Sequence, residues 1–306
     1  MNINKKAIEL LEENKYDESF QLFKEAVELS RDIQSLTNLA WIYCYEEYDD
    51  SKAIPLLKEA VNMNPTSYFP YNLLGEIYIR QEKWNESKNI LKKSINIEPS
   101  IEAYNNLAIA NFHLDEIKEA SRYFLLAADS SDYALYSYVY CLIRNSARDE
   151  AISKLNTFSE EDDEFVGEVD IAELYVELNL YKEAADWFEK GWNKYWKRPD
   201  WISRYIYSLF KLDKLDIANK KILEVINEKE LEIKEAYEED CDEDWTESDK
   251  QKHIKELFDE ITEYEHMSKR TIKGFVPNME FNTSIKTGCY LFGCLRHNHP
   301  EYNCKS

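Results

Sequence analysis

Glycine and proline are scarce in this chain, six and seven among 306 residues. An average protein gives roughly 12% of its positions to the two, so a turn-rich β architecture or a glycine-loop phosphate cradle is disfavoured and helices are expected. Cations are short as well, with 38 Lys and Arg against 60 Asp and Glu and a formal charge of −22. Phosphate binding draws its free energy from clustered Lys and Arg that release counterions, so general affinity for DNA or RNA is disfavoured and a basic partner fits better. No run of about 18 apolar residues is present to span a bilayer. The opening stretch MNINKKAIELLEENK has no apolar region of the signal-peptide kind. The expectation is a cytoplasmic protein with no membrane partner. Catalytic signatures are missing too: there is no P-loop, G-x-S-x-G, H-E-x-x-H or Rossmann fingerprint, and His113, His253 and His266 stand alone. A non-enzymatic chain is expected.

What is present suffices for a packed core, with 44% hydrophobic and 14% aromatic residues. It also repeats. Residues 68–101 carry Leu74-Gly75, Tyr78, Trp84, Ser87, Leu91, Ser94 and Pro99, and the preceding unit supplies Ala40, Tyr43, Ala53, Leu57, Ala60 and Pro65. Pro65 and Pro99 stand 34 residues apart. Ala7, Tyr16, Ser19, Phe23 and Ala26 make an earlier unit, and Ala108, Ala120, Phe124 and Ala127 a later one. Ala172, Tyr175, Tyr181, Ala184, Phe188 and Gly191 make a sixth. Two more, at Ala151 and Leu155 and at Leu215, Ala218 and Ile222, rest on spacing more than on identity.

This pattern resembles the tetratricopeptide repeat, about seven units over residues 1–227. The resemblance implies an all-α, right-handed solenoid of antiparallel helix pairs, in which stacking buries a face that one pair cannot bury alone and small residues permit close crossing. The turn CYEEYDDSKA is one residue longer than the motif. Residues 228–268 follow as an acidic helical segment expected to cap the array. Between 228 and 265 there are 17 acids and five lysines, with Thr246 and Asp249 spaced as a capping pair before Ile254, Leu257, Phe258, Ile261 and Tyr264. Residues 269–306 form a basic tail with three of the six glycines and no helical periodicity.

In the family, first helices line a concave groove that binds extended peptides or partner segments, so the groove is the expected site for a protein or peptide. Asn38 and Asn106 take one inward position, with Asn72 and Asn105 one residue earlier. An amide donates and accepts, and so can pair with a peptide backbone whatever its sequence. The carboxylate clamp of chaperone-binding members needs cations on these helices. Asn38, Leu73, Asn106 and Ser137 stand there instead, which argues against that role.

A second candidate surface is the run WFEKGWNKYWKRPDW, where Trp192, Tyr195, Trp196 and Trp201 exceed the motif and sit beside Lys and Arg, as interface anchors do; packing under a loop is the alternative. The acid run EEDCDED lacks the glycine and ligand spacing of an EF-hand. In the tail, Cys289, Cys294, His297, His299 and Cys304 follow C-x4-C-x2-H-x1-H-x4-C. Zinc takes four thiolate or imidazole ligands in a tetrahedron, and the stretch reads either as a zinc site, as a structural segment with ordinary buried thiols, or as a redox element. No cofactor is required by anything else in the chain. Two other functions stay open: a dedicated inhibitor, such as an antitoxin or immunity protein, covering a basic nuclease, and an RNA-linked adaptor acting through the basic tail.

Overall fold

The computed structural model describes residues 2–128 and 131–302, and among these every regular element is a helix. Contacts divide the chain into two compact units, one formed by residues up to Asn145 together with the segment from Thr283, the other by Ser146–Asn282.

The first unit holds α1 (Ile3–Glu12), α2 (Tyr16–Leu29), α3 (Ile33–Tyr45), α4 (Asp50–Asn62), α5 (Phe69–Arg80), α6 (Trp84–Ile97), α7 (Ile101–His113), α8 (Ile117–Ala128) and α9 (Asp132–Arg144). Helices α1, α3, α5 and α7 each pack on the even helix that follows, α9 packs on α8, and α1, α3, α5 and α7 pack on one another in turn as the inner row. Ala7, Ala40, Ala53, Ala60, Ala108, Ala120 and Ala127 are fully buried where the helices cross. Gly75 shows why size matters there, since a Cβ on it would lie 2.5 Å from Leu91 Cδ2. The small hydroxyls also join helices: Ser19 Oγ donates to the Ala7 carbonyl at 2.7 Å, and Ser87 Oγ to that of Gly75 at 3.0 Å.

Four helix starts of the first unit carry side-chain caps. Asn2, Asp32, Asp49 and Ser100 accept from backbone amides of the first turn, satisfying donors that the helix leaves unpaired. Helix stops are set by a left-handed residue, at Asn14, Tyr48, Glu82, Asp115, Ser146, Asn179 and Asp213, with φ between 52° and 61°. Glycine usually fills that position, and its near absence here means that other residues adopt the conformation. These stops recur every 31 to 34 residues from Asn14 to Asp213. The longer second turn is also present, with four residues between α3 and α4 against three between α5 and α6.

The second unit holds α10 (Arg148–Leu155), α11 (Glu168–Glu177), α12 (Tyr181–Gly191), α13 (Pro199–Lys211), α14 (Leu215–Glu238) and α15 (Glu247–Ile272). The expected boundary at 227/228 falls inside α14, a single helix of 24 residues. Thr246 and Asp249 form a reciprocal capping box at the start of α15. That helix packs on α13 and α14, burying Ile254 and Leu257 against Ile233 and Ala236. Phe258, which shares the helical spacing, points out instead and is half exposed. Lys229 is fully buried between Glu232 and Glu260, 3.1 Å from each. Among the described residues no helix is long and apolar enough to cross a membrane.

Candidate functional site

The inner face of the first unit is occupied by the chain's own C-terminal segment. Asn38 on α3 donates to the Phe292 carbonyl at 3.0 Å and accepts from the Phe292 amide at 2.8 Å. Asn106 on α7 treats Lys286 identically, donating to its carbonyl at 2.8 Å and accepting from its amide at 3.0 Å. Lys286 and Phe292 stand six residues apart in the segment, and the asparagines that hold them stand on α7 and α3. Asn105 adds a bond to the Ser284 carbonyl at 2.9 Å. Gln34 accepts from the Tyr302 amide at 3.1 Å, and His113 meets Thr283 Oγ1 at 3.3 Å. The segment runs from α7 toward α3, opposite to the order of the repeats.

Asn72 differs from its neighbours. Its carbonyl oxygen accepts from Ser94 Oγ at 2.5 Å and its amide donates to Ser100 Oγ at 3.2 Å, so it ties helices together and reaches the segment only weakly, 3.5 Å from the Tyr290 hydroxyl. All four asparagines are buried. Asn38, Asn105 and Asn106 contact backbone of residues 284–292, whereas Asn72 meets only a side chain of that segment.

Between these polar clamps lies an apolar anchor. Tyr290, Leu291 and Phe292 are each buried to within 3%. Phe69 stacks on Phe292 at 4.8 Å between ring centroids and meets Tyr290 edge-on at 5.8 Å. Burying side chains of this size stabilises by about 1.5–3 kcal/mol each. The Tyr290 hydroxyl donates to Glu76 Oε1 at 2.6 Å, and the Tyr45 hydroxyl donates to the other oxygen. Burial pushes the Glu76 carboxyl up to about 8, against the two hydroxyls, which favour the charged form. The same burial holds the Tyr290 hydroxyl well above its usual range.

After Phe292 the segment turns back on itself. Gly293, at φ 82°, donates to the Pro300 carbonyl at 3.0 Å, and the His299 amide donates to that of Cys294 at 2.9 Å. This turn brings Cys289, Cys294 and His297 together, with their ligand atoms all within 4.8 Å of one another, a set that could hold a metal ion. Cys294 Sγ lies 3.3 Å from His297 Nδ1. A tetrahedron with zinc bonds of about 2.0–2.3 Å spaces its ligands at about 3.3–3.8 Å, which the cluster approaches. Burial raises the Cys289 thiol to about 12. His299 is not one of the three: its ring stacks on His297 at 5.5 Å and packs on Phe69 at 4.9 Å, and its Nδ1 is 3.2 Å from the Leu291 carbonyl. Cys304 lies outside the described residues.

The tryptophan run is a correction. Trp192 and Trp201 are only 4% exposed and meet edge to face at 5.8 Å, since the loop after α12 folds them into the core. Tyr195 is partly buried and donates to Glu168 at 2.7 Å. Trp196 alone is open, at 63% exposure, with the Lys229 ammonium 4.6 Å from its ring. The last stretch of the sequence is likewise shared out, because the helical α15 continues to Ile272 and residues from Thr283 belong to the first unit. In the second unit the buried Arg204 donates to the Pro277 carbonyl at 2.9 Å and pairs with Glu177 at 2.7 Å.

Sequence reasoning missed Tyr290, Phe292, Gln34, Glu76 and Phe69 as groove residues. The run of three large apolar residues, Tyr290, Leu291 and Phe292, beside the cysteines was the available signal.

These features define a class: an all-helical repeat protein whose inner face pairs with an extended backbone. The family model described as Tetratricopeptide repeat matches residues 70–100, one helix pair within an all-helical array of such pairs. No curated protein matches it. Among solved structures, a tetratricopeptide repeat protein from Parabacteroides merdae ATCC 43184 shares the fold with a TM-score of 0.52 at 18% identity, covering 76% of this chain and 98% of its own. YrrB, described as a TPR protein with an unusual peptide-binding site, is similar at a TM-score of 0.48 and 19% identity, over 65% of this chain and 97% of its own. Yeast Tom70 is similar at 0.45 and 15%, over 83% of this chain and 50% of its own.

Proposed function

We propose that this chain is a non-catalytic interaction module whose first unit binds an extended segment of a partner protein or peptide on its inner face. The observation that carries the reading is the double hydrogen bonding of Asn38 to Phe292 and of Asn106 to Lys286. Such pairing reads main chain, so the same face accepts other extended segments, with a bulky apolar side chain seated against Phe69. The acidic surface favours a partner that carries positive charge, through the on-rate. A labelled peptide of residues 283–302 tests the idea by fluorescence anisotropy against protein cut back to residue 282 and checked for helical folding by circular dichroism, where no resident tail competes for the groove. Binding is expected, and expected to weaken at least tenfold in Asn38→Ala/Asn106→Ala. Equal binding to both proteins would sink the proposal.

The second reading is that zinc fills the cluster of Cys289, Cys294 and His297, which offers two soft thiolates and an imidazole within ligand reach. A reducing, cytoplasmic setting that keeps these thiols free belongs with it. Zinc content near zero after purification without chelator, with the thiols reduced, counts against it.

A further inference from the structure

We propose that a zinc ion on this cluster, completed by Glu12 of α1, is the latch that keeps the tail in the groove. The inference rests on both readings above and joins them. Cys289 precedes the buried anchor Tyr290–Leu291–Phe292, and Cys294 and His297 follow it. An ion bound by all three therefore closes a ring around the residues that fill the groove and fixes their register against Asn38. Preorganising a segment in its docked conformation removes part of the entropy lost on docking.

The tie to the repeats comes from α1. Glu12 Oε1 is 3.9 Å from Cys294 Sγ, and Glu12 Oε2 is 3.6 Å from Arg296. Its carboxylate is the donor from a repeat helix beside a cluster otherwise drawn wholly from the tail. Two thiolates and a carboxylate around a divalent ion leave one negative charge, which Arg296 offsets. A cavity of about 610 Å³ opens next to the cluster and is lined by Glu12, Cys289, Cys294, Arg296 and His297 among others, which supplies a path for the ion. On the same helix, Ile8 lies 3.2 Å from the Cβ position of Gly293, so α1 and the turn already touch. A tail so held excludes other segments from the groove, and removing the ion opens it.

The experiment uses reduced full-length protein stripped with EDTA, then titrated with Co²⁺ and with Zn²⁺. Thiolate-to-cobalt absorption bands report binding, amide exchange at Lys286 and Phe292 reports docking, and entry of the labelled 283–302 peptide reports groove access. Stoichiometric zinc is expected to slow both amides and to slow peptide entry tenfold or more. Cys294→Ser should lose the cobalt bands and the slowing together. Glu12→Gln should weaken metal binding tenfold or more and leave Asn38 and Asn106 contacts in place. Metal bound with unchanged exchange at Phe292, or unchanged affinity in Glu12→Gln, overturns the latch and leaves the zinc reading standing. No binding of either metal overturns latch and zinc together. Neither result touches the groove reading, which fails only if, in protein cut back to residue 282, the Asn38→Ala/Asn106→Ala variant binds the peptide as well as its parent does.

Discussion

Asn38 and Asn72 sit one register position apart in successive repeats, yet their amides do different work, and substitution should separate them. Asn38→Ala strips both backbone groups of Phe292 of their partners in a buried site, at about 1–3 kcal/mol for a group left unsatisfied, and should speed exchange of the Phe292 amide. Asn72→Ala instead cuts the bonds to Ser94 and Ser100, and should loosen the packing of α5, α6 and α7 while the Phe292 amide changes less. Hydrogen exchange resolved by NMR distinguishes the two. Glu76 sets the pH dependence of the same groove. Its carboxyl is raised from 4.5 to about 8, so the folded state holds a proton that the unfolded state releases earlier. Its contribution is full below about 4.5 and is lost as pH rises through about 8. Protection at Tyr290 should fall over that window and stay flat in Glu76→Gln, which keeps an acceptor without the charge; Arg80, Glu102, Tyr45 and Tyr290 are the groups that act on it.

Helices were legible in the sequence because their determinants are local and recur. A fully buried Ala7, Ala40 or Ala108 can be read from its spacing, as can the capping pair Thr246 and Asp249. Thr246→Ala removes that reciprocal cap from α15 and should lower the stability of the second unit by about 1 kcal/mol, measured by urea unfolding through the buried Trp192 and Trp201. Glu82 ends α5 at φ 55° in an exposed turn, so Glu82→Gly should stabilise the first unit by up to about 1 kcal/mol, because glycine takes the left-handed conformation without a Cβ clash. Other elements were not legible for equally physical reasons. The boundary near 227 looked like an end because the charge changes there, but Ile233 and Ala236 continue the apolar stripe of α14 and find α15 as partner. Trp192 and Trp201 have the composition of an exposed anchor, and only the loop that folds them inward reveals them as core. The groove asparagines were visible as candidates from the register, whereas their partner was not, since Asn38 and Phe292 stand 254 residues apart and no short-range pattern links them.

At the scale of the molecule, the first unit is made from two distant stretches of one chain, and the groove reading proposed above requires that the second stretch can leave without unfolding the first. That sets a ceiling on what tail substitutions cost. Phe292 is 3% exposed and stacked on Phe69, and replacing such a side chain by alanine in a fixed core costs about 3–5 kcal/mol. A docked segment has an alternative to enduring the cavity, which is to detach, so no substitution within it destabilises by more than the free energy of docking itself. Tyr290→Ala and Phe292→Ala should therefore be strongly non-additive. The double variant should expose the amides of α3 and α5 no more than the worse single variant does, because the tail has already left. In a conventional core the two losses accumulate instead. Exchange rates across residues 33–45 and 69–80 in the parent, both single variants and the double variant measure this directly. A plateau gives the docking free energy as a number, and costs that sum to the full core values would mean that the tail is an inseparable part of the first unit rather than its resident ligand.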